Sequence, residues 1–255
     1  MSSGISYKSR GVGPALVFLH GVGGGAESWD AQLAFFGDRF RALAWDMPGY
    51  GGSAPAAPAD FPQWAEALAA WLDEIDVERC VLVGHSIGGM IAQQFMTRHA
   101  HRVTRLVLSA TSPAFGRLDG DFQRDFIRSR IGPLDDGKTM SDLAAQFIPG
   151  LVGADADPDG IRNAVSTMSR VAPQTYRDAM QALVRFDLRD RLASIGVPTL
   201  LVAGEHDKAA PAKVMERMAE KIPDARYACA AGAGHLANME RPEVFNAILA
   251  EFLEA

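Results

Sequence analysis

Six short runs, ALVFL at 15–19, RALAW at 41–45, CVLV at 80–83, LVL at 106–108, TLLVA at 199–203 and RYAC at 226–229, read as strands. Most lack the polar–apolar alternation of a strand with one wet face, so they must be covered on both sides. Between them lie longer stretches with apolar residues at helical spacing. Residues 61–75 carry Trp64, Leu68, Trp71, Leu72 and Ile75, and residues 87–98 carry Ile87, Ile91 and Phe95. The C-terminal stretch repeats this with Val244, Ile248 and Phe252. Strands buried on both faces and joined by helices predict an α/β fold, with a mostly parallel central sheet covered by helices on each side.

One stretch breaks the rhythm. From Pro113 to about Asp190 no strand-like run occurs, only helical segments punctuated by Gly132-Pro133, Pro149-Gly150 and Pro158-Asp159-Gly160. That length is too great for a plain loop. The reading is a core domain made of 1–112 and 191–255, with 113–190 inserted as a helical cap; ordinary crossover helices are the plainer alternative.

Composition narrows the partners. A net charge of −6 disfavours nucleic acid, because phosphate binding needs concentrated Lys and Arg. No apolar run reaches the ~18–20 residues that span a bilayer, and the opening MSSGISYKSRGVG has no signal-peptide pattern. Two cysteines, Cys80 and Cys229, cannot build a disulfide scaffold; each lies in a strand-like run and reads as a free buried thiol in a reducing compartment. The expectation is a cytoplasmic protein acting on a small molecule, monomeric or homodimeric, with no nucleic-acid or membrane partner.

The sharpest chemical signal is Gly84-His85-Ser86-Ile87-Gly88, directly after CVLV and directly before the Ile87 helix. A turn this tight strains the backbone of Ser86, and the flanking glycines remove side chains that would clash. The hydroxyl then stands at a helix N-terminus, where N–H groups favour developing negative charge. A simple helix N-cap is the alternative role for Ser86.

A serine nucleophile needs a base. Of His20, His85, His99, His101, His206 and His235, the best placed is His235, in a Gly-rich loop after the last strand-like run. His85 should point away from the pocket by alternation. His99 and His101 read as surface residues, and no carboxylate or cysteine cluster accompanies them to suggest a metal. The acid that orients the base should end another strand. Asp207 follows TLLVA and gives the chain order Ser, Asp, His; Glu205, Asp187 and Asp190 are the alternatives, and a helix cap is the plainer role for Asp207.

His20-Gly21-Val22-Gly23-Gly24-Gly25 follows the first strong strand, and its glycines let backbone amides approach a carbonyl closely. The N–H groups of Val22 and Ile87 are the candidate oxyanion donors. No G-K-[ST] follows, which argues against phosphate binding. The glycine-rich turn 46–53 carries no nucleophile and reads as shaping the sheet edge near the pocket.

The segments HGVGGG, DMPGYGGS, GHSIGGM, GEHD and GAGHLANMERP, in this order, resemble the α/β-hydrolase fold superfamily. Within it, GHSIGGMIAQ, DLRDRL–GVPTLLVAGEHD and GHLANMERPEVFN are most similar to the 3-oxoadipate enol-lactonase-like and small carboxylesterase group. The resemblance implies Ser86, Asp207 and His235 as nucleophile, acid and base, Val22 and Ile87 as oxyanion donors, and no metal or organic cofactor. The implied reaction is hydrolysis of a small ester or (enol-)lactone through an acyl-enzyme. A carbon–carbon bond hydrolase acting on a ring-fission product of aromatic degradation would use the same residues. A hydrolase-like ligand receptor is a rival of another class. Dehalogenation would need a carboxylate where Ser86 stands. A dicarboxylate-type lactone would need a cationic anchor, for which 113–190 offers Arg117, Arg124, Arg128, Arg130, Arg170, Arg177 and Arg185, read mostly as a solvated face. Met140, Phe147, Ile148, Leu151, Met168, Met180 and Leu183 either line an apolar pocket or pack the cap onto the body.

Overall fold

The computed structural model describes residues 3–116 and 120–254. Its strands are β1 (Tyr7–Arg10), β2 (Ala15–Leu19), β3 (Arg41–Trp45), β4 (Cys80–His85), β5 (Val103–Ser109), β6 (Thr199–Gly204) and β7 (Ala225–Ala230). They form one sheet in the order β1-β3-β2-β4-β5-β6-β7. All neighbours are parallel except β1, which runs antiparallel to β3. The helices are α1 (Asp30–Phe36), α2 (Phe61–Glu74), α3 (Ile87–His99), α4 (Asp121–Asp135), α5 (Met140–Phe147), α6 (Pro158–Ser169), α7 (Pro173–Leu183), α8 (Ala212–Ala219), α9 (Ala237–Glu240) and α10 (Pro242–Glu254). Helix α2 starts where sequence rules place it: the Asp60 side chain accepts the Gln63 N–H, and Pro62 sits in the first turn.

Burial on both faces accounts for the strand composition. Leu16, Phe18, Val81, Val83 and Val202 face one apolar cluster with Trp29 and Phe245. Their sequence neighbours Val17, Leu19, Leu82 and Leu201 face the other, with Trp71, Phe95 and Met215. Each fully buried Leu or Phe contributes roughly 1.5–3 kcal/mol against exposure. In α10 the buried positions are Phe245, Asn246, Leu249 and Phe252, one residue on from the Val244–Ile248 stripe expected from spacing.

Helices α4 to α7 fill the stretch between β5 and β6. The ends of that stretch meet. Ala114 and Asp187 form an antiparallel bridge, Phe115 N–H donates to the Phe186 carbonyl at 3.0 Å, and Leu188 N–H donates to the Pro113 carbonyl at 2.8 Å. The chain therefore leaves the sheet near Pro113 and returns near Leu188 through a narrow neck. Buried Leu143, Met168, Tyr176 and Met180 from these helices join the same cluster as Trp71 and Phe95.

One strand carries no sequence signal, and one expectation needs correction. Strand β1 has no apolar signal because YKSR is an exposed edge strand, held by main-chain pairing to β3. Cys229 is exposed, whereas Cys80 is buried. The reason is topological: β7 closes the sheet, and most of its residues reach solvent. Burial pushes the Cys80 thiol up to about 12, against the pull of Arg102. Titrating the native protein with a disulfide reagent should therefore modify one thiol per chain, and unfolding should release the second. Two thiols reacting in the native state would contradict the packing of β4.

Candidate active site

Strand β4 ends at His85 and α3 begins at Ile87, leaving Ser86 alone at the junction with φ 53° and ψ −120°. Such a conformation costs an L-residue ~1–3 kcal/mol and survives only where its surroundings fix it. They do so here. Ser86 N–H donates to the Ser109 carbonyl at 2.9 Å, and the Ser86 carbonyl accepts from Thr111 Oγ1 at 2.7 Å and from the Gly89 N–H at 2.9 Å. A β-carbon on Gly84 would collide with the Gly88 carbonyl, and one on Gly88 with the Leu19 carbonyl. The Ser86 side chain makes no helix-cap bond. Its hydroxyl donates instead to His235 Nε2 at 3.1 Å.

His235 reaches Ser86 from the loop after β7. Its Nδ1–H donates to Asp207 Oδ2 at 2.8 Å, where the carboxylate side chain is 0% exposed. Asp207 Oδ1 accepts the N–H groups of Ala209 at 2.7 Å and Ala210 at 2.9 Å, so it closes its own turn while holding His235. Burial alone would raise the Asp207 pKa, but the His235 charge and hydrogen bond, with the Ala210 and Ala209 amides, outweigh it and hold the carboxyl below its ordinary value. Of the rival acids, Asp190 is exposed, and the other two are engaged elsewhere. Glu205 accepts the Gly232 N–H at 2.8 Å, and Asp187 pairs with Arg189.

The HGVGGG loop turns sharply, with Gly24 N–H donating to the Gly21 carbonyl at 2.9 Å. The Val22 N–H lies inside that turn, and the Ile87 N–H is among the first amides of α3, which a helix leaves without internal acceptors. His20 anchors the loop. It takes the Met47 N–H on Nε2 at 2.9 Å and donates from Nδ1 to the Gly21 carbonyl at 2.8 Å, so it is neutral. Burial keeps its pKa low against the pull of Gly21 and Asp46. The turn 46–53 thus holds the loop through Met47, and Tyr50 packs edge-on against the His20 ring.

His85 does not point away from the pocket. It lines the cavity, and its Nε2–H donates to the His235 carbonyl at 2.8 Å, so it braces the loop that carries the base. Alternation failed as a guide because the chain leaves strand geometry at Ser86. His99 stacks on Phe95 beside Glu66, and His101 is exposed. Among the described residues, no group of three or more His, Cys, Asp or Glu could hold a metal ion.

Above Ser86 opens a cavity of about 360 Å³. Residues 113–190 supply most of its apolar wall, including Phe147, Ile148, Leu151, Met168, Met180 and Leu183, while Met140 is buried away from it. Arg124, Arg128, Arg170 and Arg177 pair with carboxylates, Arg185 is exposed, and Arg117 lies outside the described residues. Arg130 differs: it lines the cavity with its guanidinium 4.3 Å from the Phe147 ring centroid. Sequence reasoning also passed over Glu240, a carboxylate 1% exposed whose only sequence signal is its place in the otherwise uncharged run LANM-E.

Residues 14–242 match the family model described as alpha/beta hydrolase fold. The pimeloyl-[acyl-carrier protein] methyl ester esterase of Vibrio vulnificus is 29% identical over 96% of each chain. An esterase from Thermogutta terrifontis, solved with malate bound, superposes with a TM-score of 0.89 at 26% identity, over 98% of this chain and 93% of that one. The enol-lactonase of Burkholderia xenovorans gives a TM-score of 0.88 at 26% identity, over 98% and 96%.

Burial pushes the His85 pKa down to about 3, with the His235 charge acting in the same direction. The unfolded chain, with an ordinary histidine near ~6.5, binds the proton that the folded chain refuses. The His85 contribution is thus fully present above about pH 6.5 and drains away as pH falls toward about 3. In urea titrations at pH 7, 6 and 5, His85→Gln should flatten the acid loss of stability by up to about 1.4 kcal/mol per pH unit. An unchanged slope would assign that proton to another group.

Proposed function

Because the chain belongs to the α/β hydrolase fold family, we propose that it is a serine hydrolase acting on a small carboxylic ester or lactone. The observation that carries this reading is the unbroken hydrogen-bonded chain from Asp207 through His235 to Ser86. Neutral His235 takes the Ser86 proton on Nε2 as Oγ attacks the carbonyl carbon, and Asp207 holds the ring and stabilises the imidazolium that results. The Val22 and Ile87 N–H groups receive the oxyanion; a single such donor is worth ~3–4 kcal/mol in the transition state. The tetrahedral adduct collapses as His235 protonates the leaving oxygen. Water, deprotonated by the same histidine, then attacks the acyl-enzyme, and the acid is released with Ser86 restored. The esterase and enol-lactonase names of the similar proteins agree with this chemistry.

Residues 113–190 serve as the cap that closes the acyl pocket. Its wall is largely aromatic and aliphatic, with Arg130 and Lys208 as its cations and no Asp or Glu among the described lining residues. Arg130 stacks between Phe126 and Phe147 and has no carboxylate within ion-pair distance among the described residues. Such a wall favours an acyl chain that is apolar along its length and neutral or anionic at its end, and disfavours a cationic one.

The central experiment is Ser86→Ala, which should abolish both aryl-ester turnover and covalent labelling by a serine-reactive phosphonate while circular dichroism stays unchanged. Full labelling of that variant would place the nucleophile elsewhere. In the matched pair, Asp207→Asn should cut kcat by orders of magnitude, on the scale of ~10⁴-fold, and Glu205→Gln should be nearly silent; the reverse pattern would reassign the acid.

For the substrate side, Arg130→Leu should raise KM about tenfold, roughly 1.4 kcal/mol, for an aryl ester whose acyl chain ends in a carboxylate. The neutral ester of the same length should be unaffected. Equal losses on both would reduce Arg130 to a packing role.

A further inference from the structure

Glu240 takes no part in the chemistry proposed above, yet its carboxylate accepts three hydrogen bonds, as many as that of Asp207. It lies five residues after His235, and its residue surface is 1% exposed. Oε1 accepts the N–H groups of Gly234 at 2.8 Å and Leu236 at 3.0 Å, the two amides that flank His235. Oε2 accepts the N–H of Gly153, from the stretch between α5 and α6. Two more bonds join the same segments: His235 N–H donates to the Leu151 carbonyl at 2.6 Å, and Asp157 N–H donates to the Glu240 carbonyl at 2.9 Å. The approach is too close for side chains. A β-carbon on Gly153 would strike the Gly232 carbonyl, one on Gly234 the Leu151 carbonyl, and one on Gly160 the Met239 carbonyl.

We infer that Glu240 is a positioning residue, whose buried carboxylate locks the loop of His235 to residues 151–153 of the insertion, so that the base is held in line only while the cap is seated. The inference rests on the proposed role of His235. A carboxylate suits this task for a chemical reason. Three N–H donors converge on it, and only an acceptor without hydrogens of its own satisfies all three. A Gln at this position would turn an N–H₂ group toward at least one of them and leave a buried donor unpaired, which typically costs about 1–3 kcal/mol in stability.

The charge has a second consequence. A charged His235 pulls the Glu240 carboxyl pKa down, so the two groups attract each other. Burial works against the anion and raises the Glu240 pKa above the ordinary carboxylate value, although the Gly153, Gly234 and Leu236 amides and His235 oppose that rise. Other charged or titratable groups surround the pair. Asp207 and His85 lie against His235, and Lys208 lines the same cavity. Arg241 turns to Glu243, and Asp157 approaches from the insertion.

The test compares wild type, Glu240→Gln and Glu240→Asp by aryl-ester kinetics and by hydrogen–deuterium exchange. In Glu240→Gln, kcat should fall about tenfold or more with KM within twofold. Exchange should rise together at residues 151–153 and 232–236 and stay unchanged in α2 and α3. Glu240→Asp, which keeps the carboxylate but shortens its reach, should loosen both segments together and lower kcat to a smaller degree. The inference is overturned if kcat drops only in proportion to the folded fraction, or if exchange rises at one segment alone. Should Glu240→Gln fail to fold, exchange and kcat in Glu240→Asp decide: joint loosening of both segments with lowered kcat supports the lock, and wild-type behaviour refutes it. A wild-type protein that no phosphonate labels would defeat the serine hydrolase reading, while the exchange data would still decide whether Glu240 joins the two segments.

Discussion

Bare backbone meets bare backbone along the C-terminal edge of the sheet, and the arrangement of the site depends on that contact. Gly88 lies against the Leu19 and His20 carbonyls, Gly84 against Gly88, and Gly204 against Gly234. These contacts bring the ends of β2, β4, β6 and β7 closer than side chains would permit. Ser86 takes its positive φ from this crowding, and the His235 loop is drawn over the end of β6, where Asp207 begins its turn. The free energy that holds the strained serine comes from packing on both sheet faces and from the hydrogen bonds that fix its N–H and carbonyl.

Electrostatics follow the same layout. The chain carries a net charge of −6, yet its carboxylates are kept off the described cavity wall. Those near the site are committed to N–H donors: Asp207 to its own turn and to His235, Glu240 to the loop and the insertion, Glu205 to Gly232. The remaining histidines near the pocket, His20 and His85, are buried and held neutral, so they supply directed hydrogen bonds without competing for a proton.

Much of this was legible in the residues. Doubly buried strands announce themselves because ALVFL, CVLV and TLLVA have no polar alternate positions, and Gly84-His85-Ser86-Ile87-Gly88 marks the elbow because its geometry excludes other residues. Edge strands were harder. YKSR is held by main-chain bonds to β3, which leave no trace in side chains, and β7 has one open flank, so Cys229 is exposed although its sequence setting resembles that of Cys80. The roles of His85 and Glu240 were not readable either. Both act through contacts across the fold, His85 on the carbonyl of a residue 150 positions away and Glu240 on Gly153, 87 positions away. Spacing along a chain encodes periodicity within an element; it carries little about which loop will lie over which.

The neck at Ala114 and Asp187 has a consequence for how such a molecule diversifies. A segment that departs and returns at one point adds no span that the sheet must bridge, so its length and composition can drift while the strand order stays fixed. The drift is not free, because the segment also grips the body elsewhere: Arg170 pairs with Glu27 beside the HGVGGG loop, Thr175 bonds the Gly49 carbonyl, and Gly153 binds Glu240 beside His235. A transplanted segment that matched the neck but lacked those grips would fit the fold and still leave the Gly-rich loop and the His235 loop unsupported.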